Sequence, residues 1–228
     1  MFSRVGLSIG ATYCDVGCGS GLAAQLAANI GARVFGLDAS DSLLKIARER
    51  VPHGDFRLGE MEELPFPDRT FELVTGFNAF QYAANPARAL AEAKRVAKPG
   101  GKVVVMTWGR PEGMEAATLV GALKPLLPPP PPGAPGPFAL SDENALRAFA
   151  AQGGLEPAEI ADVGCTWTYP DLETALRGLG SSGVAIRAQE YSSEDAVNRA
   201  HTAALIPFRQ ADGSYQIAAS YRWLIAHV

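Results

Sequence analysis

The chain has no lysine- or arginine-rich run and no surplus of positive charge. Its 20 basic residues are outnumbered by 24 acidic ones, for a formal net charge of −4. A nucleic-acid partner needs a basic face, so none is expected. Cysteine is scarce: Cys14, Cys18 and Cys165 form an odd, scattered set that does not read as a disulfide framework or a zinc site. They read as buried reduced thiols, and no metal is expected. No apolar run approaches the ~18 residues of a membrane span. The opening MFSRVGLSIG lacks the basic start and long apolar stretch of a secretory leader. The expectation is a cytoplasmic protein with no membrane partner.

What is present is alternation. ATYCDV (11–16), RVFGLD (33–38), DFRLGE (55–60), FELVTGF (71–77) and KVVVMTW (102–108) read as strands. Between them lie helical patterns with ordinary start and stop signals. LAAQLAANIG ends on a glycine stop. Ser40 caps SDSLLKIARERV, where Leu43 and Ala47 are expected on the inward face. Asn85-Pro86 opens a third helix, asparagine capping and proline at the first helical position. KVVVMTW is apolar through its middle, as a central strand of a parallel sheet is. Strand–helix alternation of this kind gives an α/β fold with helices on both faces and strand C-terminal ends along one ligand-binding edge.

After Trp108 the texture changes. Residues 109–140 hold a five-proline run, Pro128 to Pro132, and read as a stiff proline-rich loop. SDENALRAFAAQGG is a capped helix, LEPAEIADVGCTWTYP carries a strand, and two helical pieces are expected near 171–179 and 193–205. The tail YQIAASYRWLIAHV is strand-like.

The stretch that carries chemistry is YCDVGCGSG, residues 13–21. Gly17, Gly19 and Gly21 follow a strand directly. Such a turn passes through backbone angles that glycine tolerates, and missing side chains let a ligand lie on the backbone near a helix start. The spacing is G-x-G-x-G, not the dinucleotide G-x-G-x-x-G, and no P-loop lysine follows. Asp38 ends the second strand about 20 residues on, where a carboxylate can accept both hydrogen bonds of a ribose diol.

Four segments in this order, YCDVGCGSG, VFGLDAS, GEMEELPFPDRTFELVTGFNAFQY and NPARALAEAKRVAKPGGKVVVMTW, resemble the class I S-adenosylmethionine-dependent methyltransferases. The resemblance is to the branch that includes ubiquinone and menaquinone biosynthesis enzymes and many small-molecule enzymes. It implies a Rossmann-like, doubly wound, mostly parallel seven-stranded sheet whose last strand is antiparallel. On this reading residues 1–228 are one methyltransferase domain with a cofactor-binding core over 11–108, the proline-rich loop over 109–140 and a helical substrate-lid insertion over 170–210.

The resemblance also implies roles. Backbone around Gly17, Cys18, Gly19 and Gly21 would line the methionine and ribose parts of S-adenosylmethionine. Asp15 would help hold its amino group through water. Asp38, with Ala39 beside it, would bind the ribose. Glu60 would accept from the adenine amino group and Met61 would pack on the ring. Phe77 and Asn78 would sit where the methyl is presented, with Gln81 and Tyr82 starting the next wall. The reaction implied is methyl transfer to a small-molecule acceptor by in-line displacement, leaving S-adenosylhomocysteine. A base is needed only if the acceptor holds its proton; the candidates are His201 and Tyr82, with Tyr169 and Tyr191 of the same rank.

Only about ten residues precede the first strand, where the family often has tens that close over the cofactor. An open pocket, or cover from a partner subunit in a homodimer, is the corresponding expectation. A non-catalytic or degenerate S-adenosylmethionine-binding protein and a nucleotide-cofactor oxidoreductase stand as alternatives.

Overall fold

The computed structural model describes residues 1–130 and 136–228; the end of the five-proline run lies outside them. In chain order the elements begin with α1 (Phe2–Val5), β1 (Thr12–Val16), α2 (Leu22–Ile30), β2 (Arg33–Asp38) and α3 (Asp41–Arg50). Next come β3 (Asp55–Leu58), β4 (Phe71–Phe77), α4 (Pro86–Val96), β5 (Ala97–Trp108) and α5 (Ala116–Ala122). The remainder are α6 (Glu143–Gln152), β6 (Glu156–Tyr169), α7 (Leu172–Gly180), α8 (Gly183–Tyr191), α9 (Glu194–Leu205) and β7 (Tyr215–His227).

The seven strands form one sheet in the order β3-β2-β1-β4-β5-β7-β6. β1 pairs parallel with β2 and with β4, β2 with β3, and β4 with β5. β7 runs the other way. Gly100 donates its N–H to the carbonyl of Val228, and Val228 donates back to Gly101, the two-way exchange of an antiparallel pair. Strand order reverses at β1, between β2 and β4. That is the point where ligands bind outside the strand C-termini in sheets of this kind.

The chain divides into two compact units, one of residues 1–108, 140–161 and 222–228, the other of 109–139 and 162–221. In the first, the two faces of β1 feed two cores. Cys14 and Val16 join Leu37, Val74, Val103 and Val105 against Leu90, Ala93 and Val96 of α4 and Leu146 and Phe149 of α6. Tyr13 joins Val34, Leu73 and Val104 against Ala24 and Ala27 of α2 and Leu44 and Ala47 of α3. Period-two alternation divides the strand residues between the two layers. The inward face of α3 is Leu44 and Ala47, not the expected Leu43 and Ala47. Leu44, Ala47 and Val51 recur at i, i+3 and i+7, which turns Leu43 about 100° off that stripe.

The second unit is helical around Leu123, Ala185, Ala188 and Val197. Side-chain caps start three of its helices: Asp171 accepts from Thr174 N–H, Ser182 from Ala185 and Ser193 from Ala196. The expected proline-rich loop contains α5. Its stretch AATLVGA, made mostly of helix formers, lies between Pro111 and Pro125 with no proline inside it, so the helix is free to form between them. The expected pair of helices over 170–210 is three, because α8 stands between them behind its Ser182 cap.

Candidate functional site

The three glycines after β1 all have positive φ: 69° at Gly17, 52° at Gly19 and 77° at Gly21. They differ in what surrounds them. A Cβ built on Gly17 would lie 2.6 Å from Cβ of Ala79, and one on Gly21 would lie 2.9 Å from Cβ of Ala47. The fold itself requires those two. A Cβ on Gly19 would meet nothing within 4 Å. Space for a ligand therefore opens above Gly19, while Gly17 and Gly21 let the loop seat against Ala79 and α3. α2 begins directly after Gly21 with no side-chain cap, so its first N–H groups remain available.

Asp38, at the tip of β2, is fixed from two sides. The N–H of Gly19 donates to its Oδ2 at 2.8 Å and that of Ser40 to its Oδ1 at 2.9 Å. Each oxygen then has a lone pair left, so the carboxylate is oriented and still able to accept a pair of hydroxyls. Ala39, next along, is exposed. Cys18 turns its thiol inward: a Cβ on Gly36 would lie 3.0 Å from its sulfur, and burial raises its pKa. Cys18 thus offers this surface its backbone only.

Asp15 is 1% exposed. Thr75 donates to its Oδ1 at 2.9 Å, and the Tyr13 hydroxyl lies 2.7 Å from Thr75 Oγ1. Burial pushes the Asp15 carboxyl up to about 7, with the Asp38 charge adding to the rise and the hydrogen bonds opposing it. Sequence reasoning missed Thr75 and Tyr13. The signal was there: Tyr13 and Asp15 share a strand face by alternation, and Asp15 pairs across to Thr75 in the parallel register.

Met61 borders the glycine loop, its Cε 3.9 Å from a Cβ built on Gly17. Glu60 is exposed beside it. The loop carrying both is held from α4. Arg95 donates to the carbonyls of Leu64 and Phe66 at 3.0 Å each and to Asp68 at 2.6 Å. Glu92 accepts from Leu64 N–H at 2.8 Å and pairs with Arg95. The hydrogen bonds from Arg95 hold the Glu92 carboxyl below its usual range. This clamp, too, was unread in the sequence, because both of its members look like ordinary helix-surface charges.

Phe77 and Asn78 close β4. Phe77 packs edge-on against Phe2, with ring centroids 6.4 Å apart. Asn78 has φ 54°, a left-handed conformation that asparagine tolerates better than most residues. Its N–H donates to Met106 at 2.8 Å, and its side-chain oxygen accepts from Gln81 Nε2. The Gln81 Oε1 atom is buried without a partner.

The two base candidates fare differently from their sequence-based role. Tyr82 is 66% exposed. His201 is 2% exposed inside the second unit, with Nδ1 unpartnered, and burial lowers its pKa. It lies on the stripe Val197, His201, Leu205 of α9, spaced i, i+4, i+8, which puts it on the helix's core face.

A β1–glycine–α2 turn at the switch point, an oriented carboxylate at the tip of β2 and an antiparallel β7 define a Rossmann-like α/β fold. Residues 14–105 match the family described as a methyltransferase domain. A demethylmenaquinone methyltransferase of Renibacterium salmoninarum is 39% identical over 107 residues, 47% of this chain and 45% of that protein. A ubiquinone biosynthesis O-methyltransferase of Xanthomonas oryzae pv. oryzae is 33% identical over 118 residues, 50% of this chain and 49% of that protein. The [4+2]-cyclase SpnF shares the fold, with a TM-score of 0.63 at 23% identity over 99% of this chain and 78% of that one. Over residues 14–105 the chain is thus similar to methyltransferase domains, a class whose cofactor is S-adenosylmethionine. It spans about half the length of the curated relatives it matches. Among the described residues, no helix is long and apolar enough to cross a membrane.

Proposed function

We propose that this protein transfers a methyl group from S-adenosylmethionine to a small-molecule acceptor. The observation that carries the reading is the coupling of Gly19 to Asp38: an open backbone position donates its N–H to a carboxylate that keeps free acceptor capacity. The residues fit the cofactor. Asp38 would hold the ribose diol, Met61 and Glu60 the adenine, Gly17–Gly19 backbone the sugar and methionine, and Phe77 and Asn78 the edge of the reacting centre. Asp15, buried two residues before Gly17, would help hold the amino group through water.

When bound, S-adenosylmethionine supplies an electrophilic methyl on a sulfonium that is already a good leaving group. The chain's part is to fix and to shield. Asp38 and the glycine loop set the position of the nucleoside, and the clamp of Glu92 and Arg95 sets that of the loop bearing Met61. Accurate placement of two reactants is worth several kcal/mol of barrier, on the order of 7. No side chain is assigned as general base, since Tyr82 stands in solvent and His201 in a helical core.

Acceptor recognition is assigned to the second unit, including the helices expected as a lid over 170–210. The family match ends at residue 105, and the second unit, which begins at residue 109, lies outside it. The acidic net charge of −4 favours a small molecule over a nucleic acid.

The shared fold of SpnF, a cyclase, gives a second reading in which the nucleoside is bound and no methyl moves; fold alone does not carry an activity. Incubation with S-adenosylmethionine and a panel of phenolic, quinol and amine acceptors separates them. Acceptor-dependent release of S-adenosylhomocysteine is expected. Tight binding with no release under any acceptor would favour the second reading.

A further inference from the structure

The sheet ends on β3 at one side and β6 at the other. β3 is four residues long and carries the ion pair of Asp55 and Arg57. Short, charged edges of this kind resist pairing with other chains. β6 is 14 residues long. Its outer stretch, DVGCTWTY over 162–169, belongs to the second unit and has no charge after Asp162 and no proline. Val163, Gly164, Cys165, Thr166 and Thr168 are exposed. A Cβ on Gly164 would meet nothing within 4 Å. β7 is the strand's one neighbour in the sheet. An exposed edge that carries no charge from Val163 to Tyr169 is a template for another strand.

We propose that this edge is a homodimer interface, in which β6 of two copies pairs antiparallel about a twofold axis at Cys165. The occupant is a second copy because the strand is complementary to itself. A twofold axis perpendicular to the sheet puts the same face of both strands on the same side, so directly opposed positions must share parity. Centred on Cys165, the register sets Val163 opposite Trp167 of the other copy and Gly164 opposite Thr166. The apolar face of Val163, Cys165 and Trp167 then continues unbroken across the axis. Asp162 comes to face Thr168, so the one charge in the stretch meets no like charge. The glycine, lacking a side chain, leaves room for the threonine beside it.

The full chain tests this by sedimentation velocity across a concentration series, with a short bis-maleimide as a second readout. Cys14 and Cys18 are buried and Cys165 is exposed, so cross-linking reports on this edge. The expected result is a dimer that cross-links through Cys165 and, in Cys165→Ser, remains a dimer without cross-linking. Cys165→Lys sets two like charges directly opposed and is expected to weaken the dimer at least about tenfold. Thr166→Lys, at a separate exposed position, is expected to weaken it as well, with the far-ultraviolet circular dichroism of each variant unchanged. A monomeric wild type at every concentration overturns the proposal. So does a dimer that persists in both lysine variants, or one that fails to cross-link.

Discussion

All five residues of β1 are buried, whereas no residue of β6 is. β1 and the outer stretch of β6, 162–169, stand for two regions of the molecule. Around β1, in the first unit, almost every position answers to a packing neighbour, and the glycine loop is shaped by Ala79 and Ala47 as much as by any ligand. In the second unit, helices close a small core of their own around Leu123, Ala185, Ala188 and Val197, while the strand beside them stays open. A region packed on both faces holds a site in fixed geometry. A region with one small core and exposed strands is free to differ between relatives, and it begins just beyond the matched residues 14–105.

Titration separates the two regions most strongly. Burial raises the Asp15 carboxyl from 3.8 to about 7. The folded state therefore binds a proton that the unfolded chain releases earlier. The stabilisation is fully present below about pH 4 and is lost as pH rises through 7, by at most about 4 kcal/mol. His201 runs the other way. Burial lowers its pKa, so the unfolded chain takes up a proton first as pH falls, and the second unit loses stability in acid. Urea midpoints from about pH 4 to about pH 8 should show the opposing trends. Asp15→Asn should flatten the first and His201→Gln the second. A single common trend would break the comparison.

Next in size is Gly17→Ala. Its Cβ would collide with Ala79 at a φ of 69°, and a loss of about 3 kcal/mol is expected in chemical denaturation. Arg95→Ala should follow at about 2 kcal/mol, since it leaves the Leu64 and Phe66 carbonyls unpaired and frees the loop of Met61. Nucleoside affinity should fall with it and return in part with Arg95→Lys. Gly19→Ala is the sharpest contrast to Gly17→Ala: with open space above it, it should cost stability only about 1 kcal/mol, yet weaken nucleoside binding about tenfold. Equal stability losses at both positions would erase the distinction between loop packing and ligand space. The smallest effect is expected for Tyr82→Phe, within about 0.5 kcal/mol, because the ring stands mostly in solvent.

The sequence made the first unit legible where a local pattern and the global fold agree. The strands around ATYCDV and RVFGLD, the caps at Ser40 and Asn85, and the glycine loop were all readable, since turn chemistry and periodicity point the same way there. Asp38 was readable from its distance to the loop. What stayed hidden depends on neighbours remote in the chain. Thr75 and Tyr13 matter through cross-strand register, and Arg95 through a loop 27 residues earlier at Asp68. His201 was a candidate base because it falls in the helical region expected to cover the acceptor, and its phase on α9 turns it to a core. α5 was masked by the prolines that follow it, and α8 by its glycine start.

In the proposed function the main chain at Gly19 and the carboxylate of Asp38 together hold an adenosyl group. Calorimetric titration of S-adenosylhomocysteine into wild type and Asp38→Ala, with matched melting curves, tests it most directly. One-to-one binding by the wild type and a loss of at least about tenfold in the variant are expected. Equal affinity in two equally folded proteins would contradict it.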